Sequence, residues 1–102
     1  AREQAIDEDI RPSIYTHPIG YHGHGAGPTI GMWDNQGDTA GRGDYPLYEN
    51  TAHSIELNST VSVPEWGGQD VRFMLEEDAY FDGETTFYID GRQQELILIQ
   101  SE

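Results

Sequence analysis

Residues 52–63, "AHSIELNSTVSV", and residues 70–81, "DVRFMLEEDAYF", decide the fold. In the first, Ile55, Leu57, Val61 and Val63 fall on one face of an extended chain, with His53 and Ser59 in phase. Ser54, Glu56, Asn58, Thr60 and Ser62 fall on the other. In the second, Val71, Phe73, Leu75, Ala79 and Phe81 share a face, and Arg72, Met74, Glu76, Asp78 and Tyr80 share its opposite. Period-two alternation of this kind is the mark of a strand with one buried face. The intervening "PEWGGQ" supplies turn residues, so the two strands read as neighbours. Glu77 interrupts the apolar face and predicts a bulge or local bend.

The rest of the chain is read outward from this pair. "TTFYIDGRQQELILI", residues 85–99, reads as a hairpin turning at Asp90-Gly91. Its last arm, Leu96 to Ile99, is apolar throughout and is expected to be buried. Residues 34–50 are turn formers. Residues 13–16 are β-branched and aromatic and predict a short strand. Residues 1–12 read as a helix end or tail, with Ala5, Ile6 and Ile10 near helical spacing and Arg11-Pro12 stopping the pattern. The expected fold class is α+β, mostly antiparallel β, with at most a short N-terminal helix. Residues 1–102 form one domain, with no internal repeat and no linker.

Composition narrows the function classes. There are 19 acidic residues against five arginines and no lysine, a net charge of −14. Such a surface repels nucleic acid and anionic membranes and attracts cations. No cysteine is present, which removes disulfides and thiolate metal sites. No apolar run approaches a bilayer span, and the N-terminal residues lack an apolar signal segment, so the expected location is cytoplasmic. Arg42-Gly43-Asp44 and Asn58-Ser59-Thr60 are tripeptides of chance frequency in this context.

Three of the four histidines, His17, His22 and His24, lie within "THPIGYHGHG". Gly23, Gly25 and Gly27 alternate around His24 and let backbone or ligand come close. Glu56 and Glu76 each lie near the middle of a long strand, on its polar face. If the strands are neighbours, both carboxylates leave one side of one sheet and repel each other. A bound cation removes that conflict. With the imidazole of His24 or His22, the donor set suits manganese, iron, cobalt or zinc better than calcium. The competing reading is a solvated acidic face beside a glycine-rich loop. Serine and cysteine nucleophile motifs and a dinucleotide fingerprint are absent.

These residues resemble a known family. Gly23-His24-Gly25-Ala26-Gly27 resembles the Gly-His-Gly-x-Gly stretch of the pita-bread metallopeptidases, which include methionine aminopeptidase, aminopeptidase P, prolidase and the non-peptidase creatinase. Ser54-Ile55-Glu56-Leu57 is similar to the family's Thr-Ile-Glu-Pro strand. Val71 to Phe81 is similar to its last ligand strand. The three motifs keep the family's order, and the resemblance covers residues 13–99. It implies His24, Glu56 and Glu76 as metal ligands. It also implies hydrolysis of a peptide bond by metal-activated water, with Glu56 handling the proton and His22 or His17 placed on the substrate side. The family uses two further aspartates from an N-terminal half. Nothing before His17 supplies them, so the chain resembles the C-terminal half of a pita-bread domain. The family's further histidine downstream of the ligand histidine is also missing from "IGMWD". The expectation is weak binding of one divalent cation (Mn, Co, Zn or Fe) and little peptidase activity without the missing half. A half domain exposes core and strand edges, which predicts a homodimer. Two other readings stand beside this one: a non-catalytic binding or assembly module of the same fold, and a cupin-like β-barrel metalloprotein.

Overall fold

A computed structural model describes residues 1–37 and 40–101. The two decisive stretches form β3 (Thr51–Val63) and β4 (Gln69–Phe81), joined through a short 3-10 turn at Pro64–Trp66. Gly67 and Gly68 take positive φ angles of 69° and 80° and reverse the chain. The ladder between β3 and β4 is antiparallel and unbroken, from Thr51 opposite Phe81 to Val63 opposite Gln69. Glu56 lies directly opposite Glu76.

The bulge expected at Glu77 is not there. Glu77 stays in register opposite Ile55, on the apolar face. Its carboxylate accepts the Gln93 N–H at 2.9 Å, so the charge has a partner without any break in the ladder.

The remaining elements are α1 (Arg2–Asp7), β1 (Arg11–Gly20), β2 (Gly23–His24) and β5 (Thr86–Tyr88). The five strands form one sheet in the order β2-β1-β3-β4-β5, with every pairing antiparallel. The fold is thus mostly antiparallel sheet with one short N-terminal helix. No helix among the described residues is long and apolar enough to cross a membrane.

β1 is longer than the stretch 13–16 predicted from composition. It finds register partners on β3 from Arg11 opposite Thr60 to Pro18 opposite His53. Its outer edge is closed by the glycine-rich segment. The Thr16 N–H donates to the Ile30 carbonyl at 3.0 Å, and the Ile30 N–H donates to Thr16 Oγ1 at 2.9 Å. The Gln36 side-chain amide acts as a substitute strand. It accepts the Ile14 N–H at 2.9 Å and donates to the Ile14 carbonyl at 2.8 Å and to the Met32 carbonyl at 2.9 Å. Gly31, at φ 69°, permits this approach, because a side chain there would run into the Ile14 carbonyl oxygen.

The C-terminal arm differs from expectation. The chain does turn at Asp90-Gly91, with Gly91 at φ 78°, but residues 91–100 form no strand. β5 has only three residues, too short an edge to hold a returning arm. Leu96, Ile97, Leu98 and Ile99 are exposed instead of buried.

Burial is concentrated in an unusual place. Among the described residues the buried apolar side chains are Ala79 and Pro18, whereas Thr16, His17 and Ser54 are buried polar ones. Leu57, Phe73 and Leu75 on the apolar face remain exposed. The best-enclosed region is therefore the junction of β1, β3 and β2, where the histidines lie.

Candidate metal centre

The site is built by strand alternation. Tyr15, His17 and Ile19 leave one face of β1, and the register sets Tyr15 opposite Glu56 and His17 opposite Ser54. His17 is therefore the diagonal neighbour of Glu56. Its Nε2 lies 2.9 Å from Glu56 Oε1. β2 pairs Ile19 with His24, which brings the His24 ring onto the His17 ring at a centroid distance of 4.1 Å and an angle of 26°. The Tyr15 ring flanks His17 at 4.9 Å. Gly20 makes the tight return possible: a Cβ there would stand 2.7 Å from the His24 carbonyl oxygen.

The Pro18 carbonyl orients the centre. It accepts the Gly25 N–H at 2.7 Å and His17 Nδ1–H at 2.9 Å, filling both lone pairs. A carbonyl can only accept, so Nδ1 of His17 carries hydrogen. In the neutral ring Nε2 then presents a lone pair to the Glu56 carboxylate, which is also an acceptor. Two acceptors 2.9 Å apart need a proton or a cation shared between them. An imidazole whose Nδ1–H is held by a backbone carbonyl keeps Nε2 as its free donor atom, the tautomer that second-shell bonding fixes in metal-ligating histidines.

His17, His24 and Glu56 each offer one ligand atom, and these atoms lie within 4.8 Å of one another. His17 is buried, Glu56 is half-buried and His24 is exposed. The cluster is thus anchored on one side and open on the other. Two imidazoles and one carboxylate are a donor set of catalytic zinc and of non-haem iron, both of which keep coordination positions open.

Glu76 faces Glu56 across the ladder but is turned differently. Its Oε1 accepts the hydroxyl hydrogen of buried Ser54 at 2.8 Å. It is not one of the three clustered residues. His22 lies at the exposed turn between β1 and β2, edge-on to Tyr21 at 4.8 Å and 88°, and stands outside the cluster. His53 leaves the opposite face of the sheet. Its Nε2 is buried with no hydrogen-bond partner among the described residues, and burial first, then the neighbouring His17, lowers its pKa from the ordinary histidine value. The Tyr15 hydroxyl is pushed up by burial first and then by the charges of Glu56 and Asp34, so it stays protonated at neutral pH.

A cleft of about 300 Å3 opens beside the cluster, lined by Tyr15, Trp33, Glu56, Arg72, Met74 and Glu76 among others. Sequence reasoning gave His17 a substrate-side role. Its place next to Glu56 depends on β1 running to Gly20, which composition did not indicate. The signal was present as alternation: Tyr15, His17 and Ile19 share a face once the strand is extended through Pro18.

Comparison of the chain with family models, with curated proteins and with solved structures finds no match.

Proposed function

We propose that this chain is a divalent-metal-binding module that holds one ion through His17, His24 and Glu56, with Glu76 as the adjacent carboxylate. The observation that carries the reading is His17 Nε2 at 2.9 Å from Glu56 Oε1 while Nδ1 is tied to the Pro18 carbonyl. The donor set selects a transition ion (Zn, Co, Mn or Fe) over calcium. When bound, such an ion acts as a Lewis acid and activates water for attack on a carbonyl. The chain's own residues hold and orient. Pro18 fixes the His17 ring, Ser54 holds Glu76 to one side, and Trp33 and Tyr15 wall the cleft. The reading as the C-terminal half of a pita-bread metallopeptidase rests on the three motifs and their order. Under it, His24, Glu56 and Glu76 are ligands, and a peptide occupies the cleft once the missing half is supplied. No aspartate joins the cluster among the described residues. The chain by itself is therefore proposed to bind one ion without hydrolysing peptides.

Calorimetric titration with Zn2+, Co2+ and Mn2+ tests this, together with the visible absorption of the cobalt form. His17→Ala and Glu56→Ala are expected to abolish the isotherm, and His22→Ala to leave it unchanged. Equal binding by wild type and Glu56→Ala would remove the site. Glu76→Gln separates the two ligand sets: a small loss supports the His17 set, and abolition with His17→Ala unaffected supports the motif-derived set.

A further inference from the structure

Among the described residues the sheet has no second sheet or long helix packed on it. Stable domains bury a sheet face against another layer, yet among the described residues the apolar face meets a six-residue helix near Leu57 and Leu75 and loop residues Pro28, Thr29, Ile30 and Leu47 near Ile55 and Ala79. The solvent-accessible surface is 8430 Å2, whereas a compact monomer of this mass exposes roughly 5,800 Å2. The radius of gyration is 16.2 Å, against about 13 Å for a compact chain of this length. The excess, about 2,600 Å2 on one chain, is larger than the roughly 800 Å2 that a standard interface removes from each partner and falls in the range of extensive obligate interfaces, about 1,000–2,500 Å2 or more per partner.

Two unpartnered features on the chain match each other. β4 pairs with β5 only at Ala79, Tyr80 and Phe81, and the ladder is extended once by the Ile89 N–H donating to the Asp78 carbonyl. Among the described residues, the stretch Gln69 to Glu77 therefore has no ladder partner on that edge, while its other edge is fully paired with β3. The second feature is the segment "ELILIQ", residues 95–100. It is exposed, apolar on both faces of an extended chain, and contains neither proline nor glycine. Such a segment is a ready strand, and such an edge is a template for one.

We infer that Glu95–Gln100 of one copy adds as a strand to the free Gln69–Glu77 edge of a second copy, forming a reciprocal two-fold dimer. The own-chain alternative is opposed by the turn. Continuing β5 straight along β4 would set Asp90 opposite Glu77. Instead the chain departs at Asp90-Gly91, and the Gln93 N–H is held by the Glu77 side chain at 2.9 Å. That clasp leaves the segment's own β4 edge vacant and directs the apolar residues outward. Strand exchange between two copies satisfies both features at once, and reciprocity gives a closed assembly. The inference is independent of the metal reading.

Sedimentation equilibrium over a micromolar range on three chains tests it: wild type, a chain ending at Gln94, and Leu96→Asp/Leu98→Asp. The wild type is expected to be dimeric and the other two monomeric at the same concentrations. The double aspartate variant should lose about 100-fold in self-affinity, from the apolar burial removed at two leucines. A synthetic peptide of residues 95–102 is expected to bind the shortened chain, with new amide protection at Gln69–Glu77. A monomeric wild type overturns the inference. A dimer that survives removal of the segment overturns it too and assigns the contact to the apolar face instead. Peptide binding without protection along β4 also overturns it.

Discussion

Glu56 and Glu76 are direct partners across β3 and β4, yet their carboxylates point to different companions. Glu56 meets His17 at 2.9 Å, and Glu76 takes the Ser54 hydroxyl at 2.8 Å. Two like charges in one cross-strand position destabilise a sheet unless something separates them. Here each is drawn aside by a buried polar group from the row of His17 and Ser54.

Ser54→Ala should expose that balance. Losing the buried hydroxyl removes the hydrogen bond that holds Glu76 away. The expected cost is about 1 kcal/mol in metal-free protein, typical of a hydrogen bond to a partly exposed partner. Urea unfolding with and without Zn2+ measures it. A larger loss without metal than with it is the expected pattern.

His53→Phe should flatten the acid side of the stability profile. The folded-state pKa of His53 is lowered by burial and by His17, so folding favours the neutral ring. Its contribution is fully present above the ordinary histidine pKa, about 6.5, and is lost as pH falls through the lower folded value. Thermal melts from pH 7.5 downward should show wild type losing stability faster than the variant. Parallel curves would show that His53 is not a source of the acid sensitivity.

Gln36→Ala should loosen β1 rather than unfold the sheet. The side chain makes three hydrogen bonds that close the outer edge at Ile14 and Met32. Their combined loss is expected to cost about 2 kcal/mol. Hydrogen exchange at the Ile14 amide should rise far more than at β3 and β4 amides.

Gly31→Ala and Gly41→Ala form a matched pair. Both glycines have positive φ, at 69° and 77°. Among the described residues nothing stands within 4 Å of where a Cβ at Gly41 would go, whereas Gly31 faces the Ile14 carbonyl. Gly41→Ala should cost only the left-handed backbone penalty, about 1 kcal/mol. Gly31→Ala should cost at least about 2 kcal/mol, because the glycine-rich segment must also move off β1. Chemical denaturation midpoints compare the two.

Much of the sheet was legible because alternation in β3 and β4 is nearly complete over both strands. That pattern alone placed Glu56 and Glu76 on one face, and the ladder makes them opposite partners. The reach of β1 was less legible. Arg11-Pro12 stops the helical pattern, yet the strand runs through both Pro12 and Pro18, because in this register the even residues of β1 turn their backbone groups to the outer edge, where a missing N–H costs no bond to β3. The Gln36 clasp was hidden because a side-chain amide standing in for a strand leaves no periodic trace. The exposed "LILI" departs from the expected burial for a physical reason: hydrophobicity predicts that a segment needs cover, not that cover lies in the same chain. The place of His17 is not legible from motif spacing, because its partner is set by a diagonal across two strands.

The cross-strand register has a consequence for folding. A slip of one residue between β1 and β3 would carry Glu56 to the far face from His17 and dissolve the cluster. An ion that needs His17, His24 and Glu56 together therefore binds only the correctly aligned sheet, and it stabilises that alignment by mass action over every shifted pairing. Under the proposed metal reading such an ion would proofread strand alignment, and the affinity of the chain for it would read out how faithfully the sheet has assembled.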